Sequence, residues 1–539
     1  MDEVIEKQLT SGLTPSLILG IIGAYFLLLI GIAYWTGRKA NNQDFFTANR
    51  SSPWYLVAFG MIGTSLSGVT FISVPGMVGA VYLTSGTNQA TNMEFSYMQM
   101  VLGYLAGYTV IALLLLPLYY RLQLTSIYTY LEERFGNASY KTGAGFFLLS
   151  RIIGASFRLY LVAMVMYLFV FEPWGIPFWM VSFFTIVLIW IYTFKGGIKT
   201  IVWTDTLQTL FMLIAVTMTV IELTDALGLS MGSLWSSIQS EGLGQIFFFE
   251  GGWSDPNNFF KQFFAGMFIA IVMTGLDQDM MQKNLTCRNI GEAQKNMFSF
   301  SIVLVFVNFF FLMLGALLAM YALRNGIAYD RADSLYPTIA LEHLPWEVGV
   351  VFIIGLVAAA YSSADSALTA LTTSFCVDFL GFKNAKNDTP EVTSVRGENI
   401  LDSPVGASLS KENTANERTR HRVHIGFSIV LFLVIVIFWL INDDSVVVLL
   451  FKFAGYTYGP LLGLYAFGLF TSRKVTDNLV PVVCLLAPVL TYLITRNSEA
   501  LLWGYKFGFE LLLVNGLLTF VGLWGISNQI KASFVKERS

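Results

Sequence analysis

About thirteen stretches of roughly 18 or more mostly apolar residues run through this sequence, and no other feature constrains its fold as tightly. A helix needs about 20 residues to cross the hydrocarbon core of a bilayer, where only helices and closed barrels satisfy their own backbone polar groups. The stretches fall near residues 15–36, 54–80, 93–118, 143–171, 177–194, 200–223 and 260–284, then 296–322, 347–379, 423–441, 446–470, 479–495 and 505–526. Of the 539 residues, 55% are hydrophobic and 12% charged, against roughly 45–50% apolar and 25% charged in a soluble domain. No aqueous core hides that much apolar surface. The expected fold class is all-α and integral to the membrane, with about 13 transmembrane helices.

The basic residues test this count independently, because cytoplasmic loops collect Lys and Arg. With the N-terminus outside, alternate loops hold 23 Lys and Arg on the inner side, among them Arg38, Lys39, Arg121, Lys195, Lys199, Lys283 and seven in 380–422. The outer loops hold Lys7, Arg324, Arg331 and Arg496, with Lys261 and Lys506 at boundaries. An odd span count then puts the C-terminus in the cytoplasm. The first apolar run is too long for a signal peptide and lacks a basic flank, so it reads as a retained span. Cys287, Cys376 and Cys484 lie far apart and read as small buried hydrophobes, with neither a disulfide framework nor a zinc site. Residues 383–422, rich in Asn, Ser, Glu and Thr, read as a flexible cytoplasmic loop.

Polar residues at membrane depth are expensive and mark function by default. The second span contains Gly60, Gly63, Thr64, Ser65, Ser67, Gly68 and Thr70 within one apolar stretch. Glycine weakens a helix and hydroxyls compete for its backbone bonds, so a break is expected here. An unwound turn would aim carbonyl oxygens at a small hard cation, while the same small residues also suit close helix packing. In the ninth span, Ala359, Ser362, Ser363 and Ser366 fall at i, i+3, i+4 and i+7 and share one face, with Asp365 beside them. That face suits either a cation or tight packing. Asp205 and Gln208 stand one turn apart at the cytoplasmic end of the sixth span, as functional polar groups or as a helix N-cap or interfacial anchor. Thr274, Gly275, Asp277 and Asp279 interrupt the seventh span. Arg151 and Arg158, seven apart, share a face of the fourth span, and Lys452 lies in the eleventh. These cations suit an anionic solute or pair with Asp277, Asp279 or helix carbonyls.

Five motifs in order carry a resemblance: Leu124 to Gly136 (LTSIYTYLEERFG), Tyr192 to Gln208 (YTFKGGIKTIVWTDTLQ), Asp277 to Gln282 (DQDMMQ), Ala360 to Ser366 (AYSSADS), and Gly459-Pro460. Over residues 50 to 475 the chain resembles the sodium:solute symporter family, which includes sodium-glucose, sodium-iodide, sodium-proline and sialic acid transporters. The resemblance implies a LeuT-like core of ten helices in two inverted five-helix repeats, spans 2–6 and 7–11, with the first helix of each repeat discontinuous. It divides the chain into 1–53, an extra helix and first cytoplasmic loop; 54–475, the transport core with loop 380–422; and 476–539, the last helices and a short tail.

The resemblance further implies a sodium ion, the coupling ion, on the carbonyls of Gly63, Leu66 and Ala359 and the hydroxyls of Ser362 and Ser363. A second cation site at Asp205, Ser362, Asp365 and Ser366 is expected from the sialic acid transporters, although Asp365 replaces a serine of their pattern. The sugar-contacting positions appear as Thr70, Ala270 and Leu304, without amide groups, and a glutamine as Lys452. Substrate candidates are therefore Thr70, Arg151, Arg158, Thr274 and Lys452, and the expected cargo is a small polar solute, favoured to be an organic anion, taken up by alternating access at a plasma or bacterial inner membrane. Neutral sugars, amino acids and a nutrient sensor built on a transporter fold are the alternatives. The chain lacks HExxH, GxSxG and P-loop patterns and holds three histidines, which speaks against a membrane enzyme. Expected partners are the solute and membrane lipid, not nucleic acid, with monomer and homodimer both open.

Overall fold

The computed structural model describes residues 14–37, 50–82, 93–124, 126–329, 331–382, 404–441, 446–505 and 507–528. Long helices dominate: α1 (Pro15–Gly37), α2 (Trp54–Ser65), α3 (Gly68–Val78), α4 (Tyr97–Val110), α5 (Asn137–Met166) and α6 (Phe178–Ala226). Then follow α7 (Phe259–Ala270), α8 (Gln278–Asn284), α9 (Ile290–Asn325), α10 (Trp346–Ser374), α11 (Pro404–Ile441), α12 (Val446–Phe470), α13 (Val480–Arg496) and α14 (Leu511–Gly525). A two-residue strand pair, Lys474–Val475 with Ser527–Asn528, is the only sheet among the described residues.

Among the described residues, eight helices are long and apolar enough to cross a membrane, or up to ten if each of two bent pairs is one span. Two shorter apolar segments, Phe178–Ile191 and Leu511–Gly525, stand outside that test, so this criterion does not by itself reach the expected thirteen. The fifth and sixth expected spans join in α6, whose 49 residues are unbroken by hydrogen bonding, more than twice the roughly 20 that one crossing needs. The polar segment expected as a loop lies outside the described residues as far as 403. From Pro404 onward it is helix, continuous with the span that follows. The physical reason is in its composition: after Gly406 the run to Arg422 holds no proline or glycine and is rich in Ala, Lys, Glu and Arg, so a helix nucleated in the membrane propagates into it.

The two bent pairs are α2 with α3, at 56°, and the α7 segment Phe259–Gly275 with α8, at 69°. They open the two halves of the core five expected crossings apart, and an odd number inverts the second half relative to the first. Around them α6 packs along α10, α4 along α7, and α12 along α14. Small residues permit this closeness. A Cβ on Gly103 would fall 2.1 Å from the Phe263 carbonyl oxygen, and one on Gly266 2.1 Å from that of Met100, so α4 and α7 touch backbone to backbone. Outward faces carry large exposed apolar side chains, including Leu440, Phe306, Phe470 and Leu485, as a lipid-facing surface must.

Candidate solute and cation site

The first break arises where glycines and hydroxyls crowd the second span. Helix α2 ends at Ser65, Leu66 and Ser67 leave helical geometry (ψ 40 and 175), and the chain re-enters helix at Gly68. Glycine lets this break press against its neighbours, since a Cβ on Gly63 would lie 2.2 Å from Thr209 Oγ1 and 3.4 Å from Ser362 Oγ. Close packing and an oxygen-rich junction are thus the same feature. Across it, Ser363 Oγ donates to the Thr64 carbonyl at 3.3 Å and to the Ala359 carbonyl at 3.4 Å. The structure therefore brings Gly63, Ala359, Ser362 and Ser363 together at the end of α2, with Leu66 buried at the break itself.

Asp205 is fully buried beside this junction. Its Oδ1 accepts from Ser362 Oγ at 2.8 Å, and its Oδ2 from Thr64 Oγ1 at 3.2 Å and from Lys283 Nζ at 2.5 Å. Lys283 also donates to Thr64 Oγ1. The sequence reading placed Lys283 in an inner loop; the structure instead buries it, 2% exposed, in an ion pair with Asp205. The expected second cation site is thereby altered, because an ammonium holds the carboxylate on which it depends. Its other members face elsewhere: Ser366 Oγ donates to Asp279 Oδ2 at 3.3 Å and to the Ser362 carbonyl at 2.9 Å. Asp365 accepts from the Ser366 amide at 2.5 Å and lies within electrostatic reach of Tyr25 on α1.

The second break is organised differently. A wide turn at Ile271–Gly275 ends α7, and Asp277 caps α8 by accepting from the amides of Asp279 (2.9 Å) and Met280 (3.3 Å). The carbonyls freed at the break are covered by tyrosines, Tyr119 on Gly275 and Tyr128 on Leu276, each at 2.8 Å. Gln278 accepts from the Ile127 amide at 2.9 Å, and Tyr458 donates to Asp277 Oδ2.

Between the two breaks lies a cavity. Thr64 to Ser67 and Thr70 line it from one side, Ile269, Ala270, Met273 and Thr274 from the other, with Tyr97, Tyr104, Tyr108, Leu304 and Asn308 around them. Arg151 and Arg158 both reach it, but their circumstances differ. Arg151 is paired with Asp279 and lies 3.7 Å from Asp277. Arg158 forms no ion pair among the described residues, and its Nε is buried without a hydrogen-bond partner. Lys452 does not join them: it is exposed, while Leu450 and Phe451 present their side chains to the cavity. The helical register explains the correction, since neighbours on a helix are about 100° apart and Lys452 falls on the outer side.

Sequence reasoning missed Lys283, Asn308 and the tyrosine cluster. For Lys283 the available signal was its position four residues after Asp279, inside rather than beyond the seventh span. The three cysteines are buried and free, and the described residues hold no cluster of His, Cys, Asp and Glu able to bind a metal through such ligands. An alkali cation held by carbonyls and hydroxyls is the chemistry that this oxygen set supports.

Comparison with known proteins agrees. The sodium/sialic acid symporter NanT of Aliivibrio fischeri is 25% identical over 476 residues, spanning 86% of this chain and 85% of that protein. SiaT of Proteus mirabilis, also a sodium/sialic acid symporter, is 23% identical over 371 residues, 68% of this chain and 71% of the relative. The human sodium/iodide cotransporter is 29% identical over 198 residues, 36% of this chain and 28% of its own. A solved Na+-coupled sialic acid symporter, in a substrate-bound outward-open state, superposes with a TM-score of 0.74 at 17% identity, covering 95% of this chain and 99% of that one. With the family model matching residues 45–388, the chain belongs to the sodium:solute symporter family.

Proposed function

We propose that this sodium-coupled symporter imports a polar solute bearing a carboxylate, of the sialic acid class, and that Arg158 binds the carboxylate. One observation carries the reading: Arg158 reaches the cavity between the two breaks, while its neighbour Arg151 is neutralised by Asp279 and Asp277. A buried guanidinium that makes no ion pair is costly, and a carboxylate that accepts two parallel N–H bonds offsets that cost. Hydroxyl-bearing neighbours Thr70, Thr274 and Tyr104 and the amide of Asn308 suit the rest of a polar solute. Ala270 and Leu304 offer nothing to a neutral sugar held as in the glucose transporters. The names of the similar symporters support the same class.

In this reading the coupling sodium lies among the carbonyls of Gly63, Leu66 and Ala359 and the hydroxyls of Ser362 and Ser363. Ser363 already links α10 to the carbonyl of Thr64, and a cation on the same oxygens would hold the broken helix against α10 and keep the outward cavity assembled. Solute binding then completes the cavity and permits the switch to the inward state. One charge moving inward gains about 2.3 kcal/mol per 100 mV of membrane potential. The loop charges support an outer N-terminus and a cytoplasmic C-terminus in a plasma or bacterial inner membrane.

Uptake of labelled N-acetylneuraminate into proteoliposomes, with sodium or choline outside, tests the reading. Sodium should drive uptake, Arg158→Ala should reduce it at least a hundredfold, and Arg158→Lys should keep part of it, since lysine supplies the charge without the fork. Full uptake by Arg158→Ala would reject the assignment.

A further inference from the structure

We propose that Lys283 serves as a built-in second cation, so that this symporter couples a single sodium ion to each solute. The inference rests on the sodium-symport reading and concerns only how many sodium ions the protein binds.

Asp205 on α6 touches the serine run, and both of its oxygens are engaged. Oδ1 accepts from Ser362 at 2.8 Å, while Oδ2 accepts from Thr64 at 3.2 Å and from Lys283 at 2.5 Å. The ammonium donates to Thr64 Oγ1 as well. A sodium ion in this place would need the two oxygens to which Lys283 Nζ already donates, Asp205 Oδ2 and Thr64 Oγ1. Nζ occupies their meeting point. Both partners are removed from solvent, at 2% and 0% exposure, so a second positive charge there would face an unscreened ammonium in a medium of low dielectric. The serine pair retains its other neighbours: Ser363 donates to the Thr64 and Ala359 carbonyls. One cation site is left for sodium, and the other is filled by a side chain that never leaves the protein.

The tether also has a direction. Lys283 lies in the last turn of α8, beyond the second break, whereas Thr64 lies just before the first break and Asp205 lies on α6. The ion pair therefore joins the opening helices of both halves on the side where α8 ends. A bound sodium would supply charge to Asp205 without tying these elements to α8.

Counting sodium on purified full-length protein, by equilibrium binding of radiolabelled sodium without any solute, tests this independently of the cargo. Wild type should bind one sodium per chain, and Lys283→Met, which frees the Asp205 carboxylate, should bind two. In uptake assays the Hill coefficient for sodium should rise from one towards two. Two sodium ions on wild type, or one on folded Lys283→Met, would overturn the proposal. If Lys283→Met does not fold, the charge-balanced double variant Asp205→Asn with Lys283→Met decides. It should keep one sodium at wild-type affinity, and loss of that sodium would overturn the proposal by making Asp205 part of the single site.

Discussion

Replacing Ser363 by alanine separates cation binding from packing, because the two roles of its hydroxyl differ in size. In the structure the hydroxyl makes two long hydrogen bonds, 3.3 Å to the Thr64 carbonyl and 3.4 Å to the Ala359 carbonyl. Bonds at that length lie beyond the usual O–H···O range, so their joint loss should cost at most about 1 kcal/mol of stability. As a ligand of a full charge in a dry site the same oxygen should contribute about 1.5–3 kcal/mol, or roughly a ten- to hundredfold change in sodium affinity. The assay is solute uptake against sodium concentration, paired with the apparent melting temperature in choline. Ser363→Ala should raise the half-saturating sodium at least tenfold while melting within a few degrees of wild type. An unchanged sodium requirement together with a large fall in melting temperature would refute the argument, since the hydroxyl would then be a packing element and nothing more.

Two further substitutions test the surroundings. Asp477 caps α5 from a distant loop, accepting from the amides of Ala138 and Ser139 at 2.8 Å each and from Ser139 Oγ at 2.6 Å. Asp477→Ala should therefore destabilise the protein by about 1–2 kcal/mol, seen as a lower melting temperature with sodium and solute affinities unchanged; a selective loss of sodium affinity would contradict the purely structural role. Lys452 is exposed on α12, so Lys452→Gln should leave uptake of carboxylate solutes within twofold of wild type, and a loss comparable to that of Arg158→Ala would return it to the cavity.

Both broken helices were legible in the sequence because their cause is local: glycines and hydroxyls in the second span, and Thr274-Gly275 followed by two aspartates in the seventh. The serine face was legible for the same reason, since i, i+3, i+4 and i+7 spacing is fixed by helical geometry. The distribution of charge was not. Arg151 and Arg158 share a face, and nothing in their spacing says which is neutralised; that is decided by where α8 carries Asp279, more than a hundred residues away. Lys283 was lost to a different effect. A basic residue at the end of a span is ordinarily solvated in the adjoining loop, and only the bend after Gly275, by turning α8 inward, buries it against Asp205.

The two breaks resemble each other in sequence and in angle, yet the structure gives them opposite electrostatic characters. At the second, Tyr119 and Tyr128 cover the carbonyls of Gly275 and Leu276, and the acids that follow are spent on Arg151 and Tyr458. Each of these two carbonyls thus already accepts a short hydrogen bond from a buried tyrosine. At the first break the polar contacts come from serine and threonine hydroxyls, whose oxygens keep lone pairs free while donating. With sodium at the proposed site, the inverted halves would supply one junction for the cation and one that positions fixed charges. Lys283, reaching from the second to the first, is the point at which the fixed charge of one half meets the acid of the other.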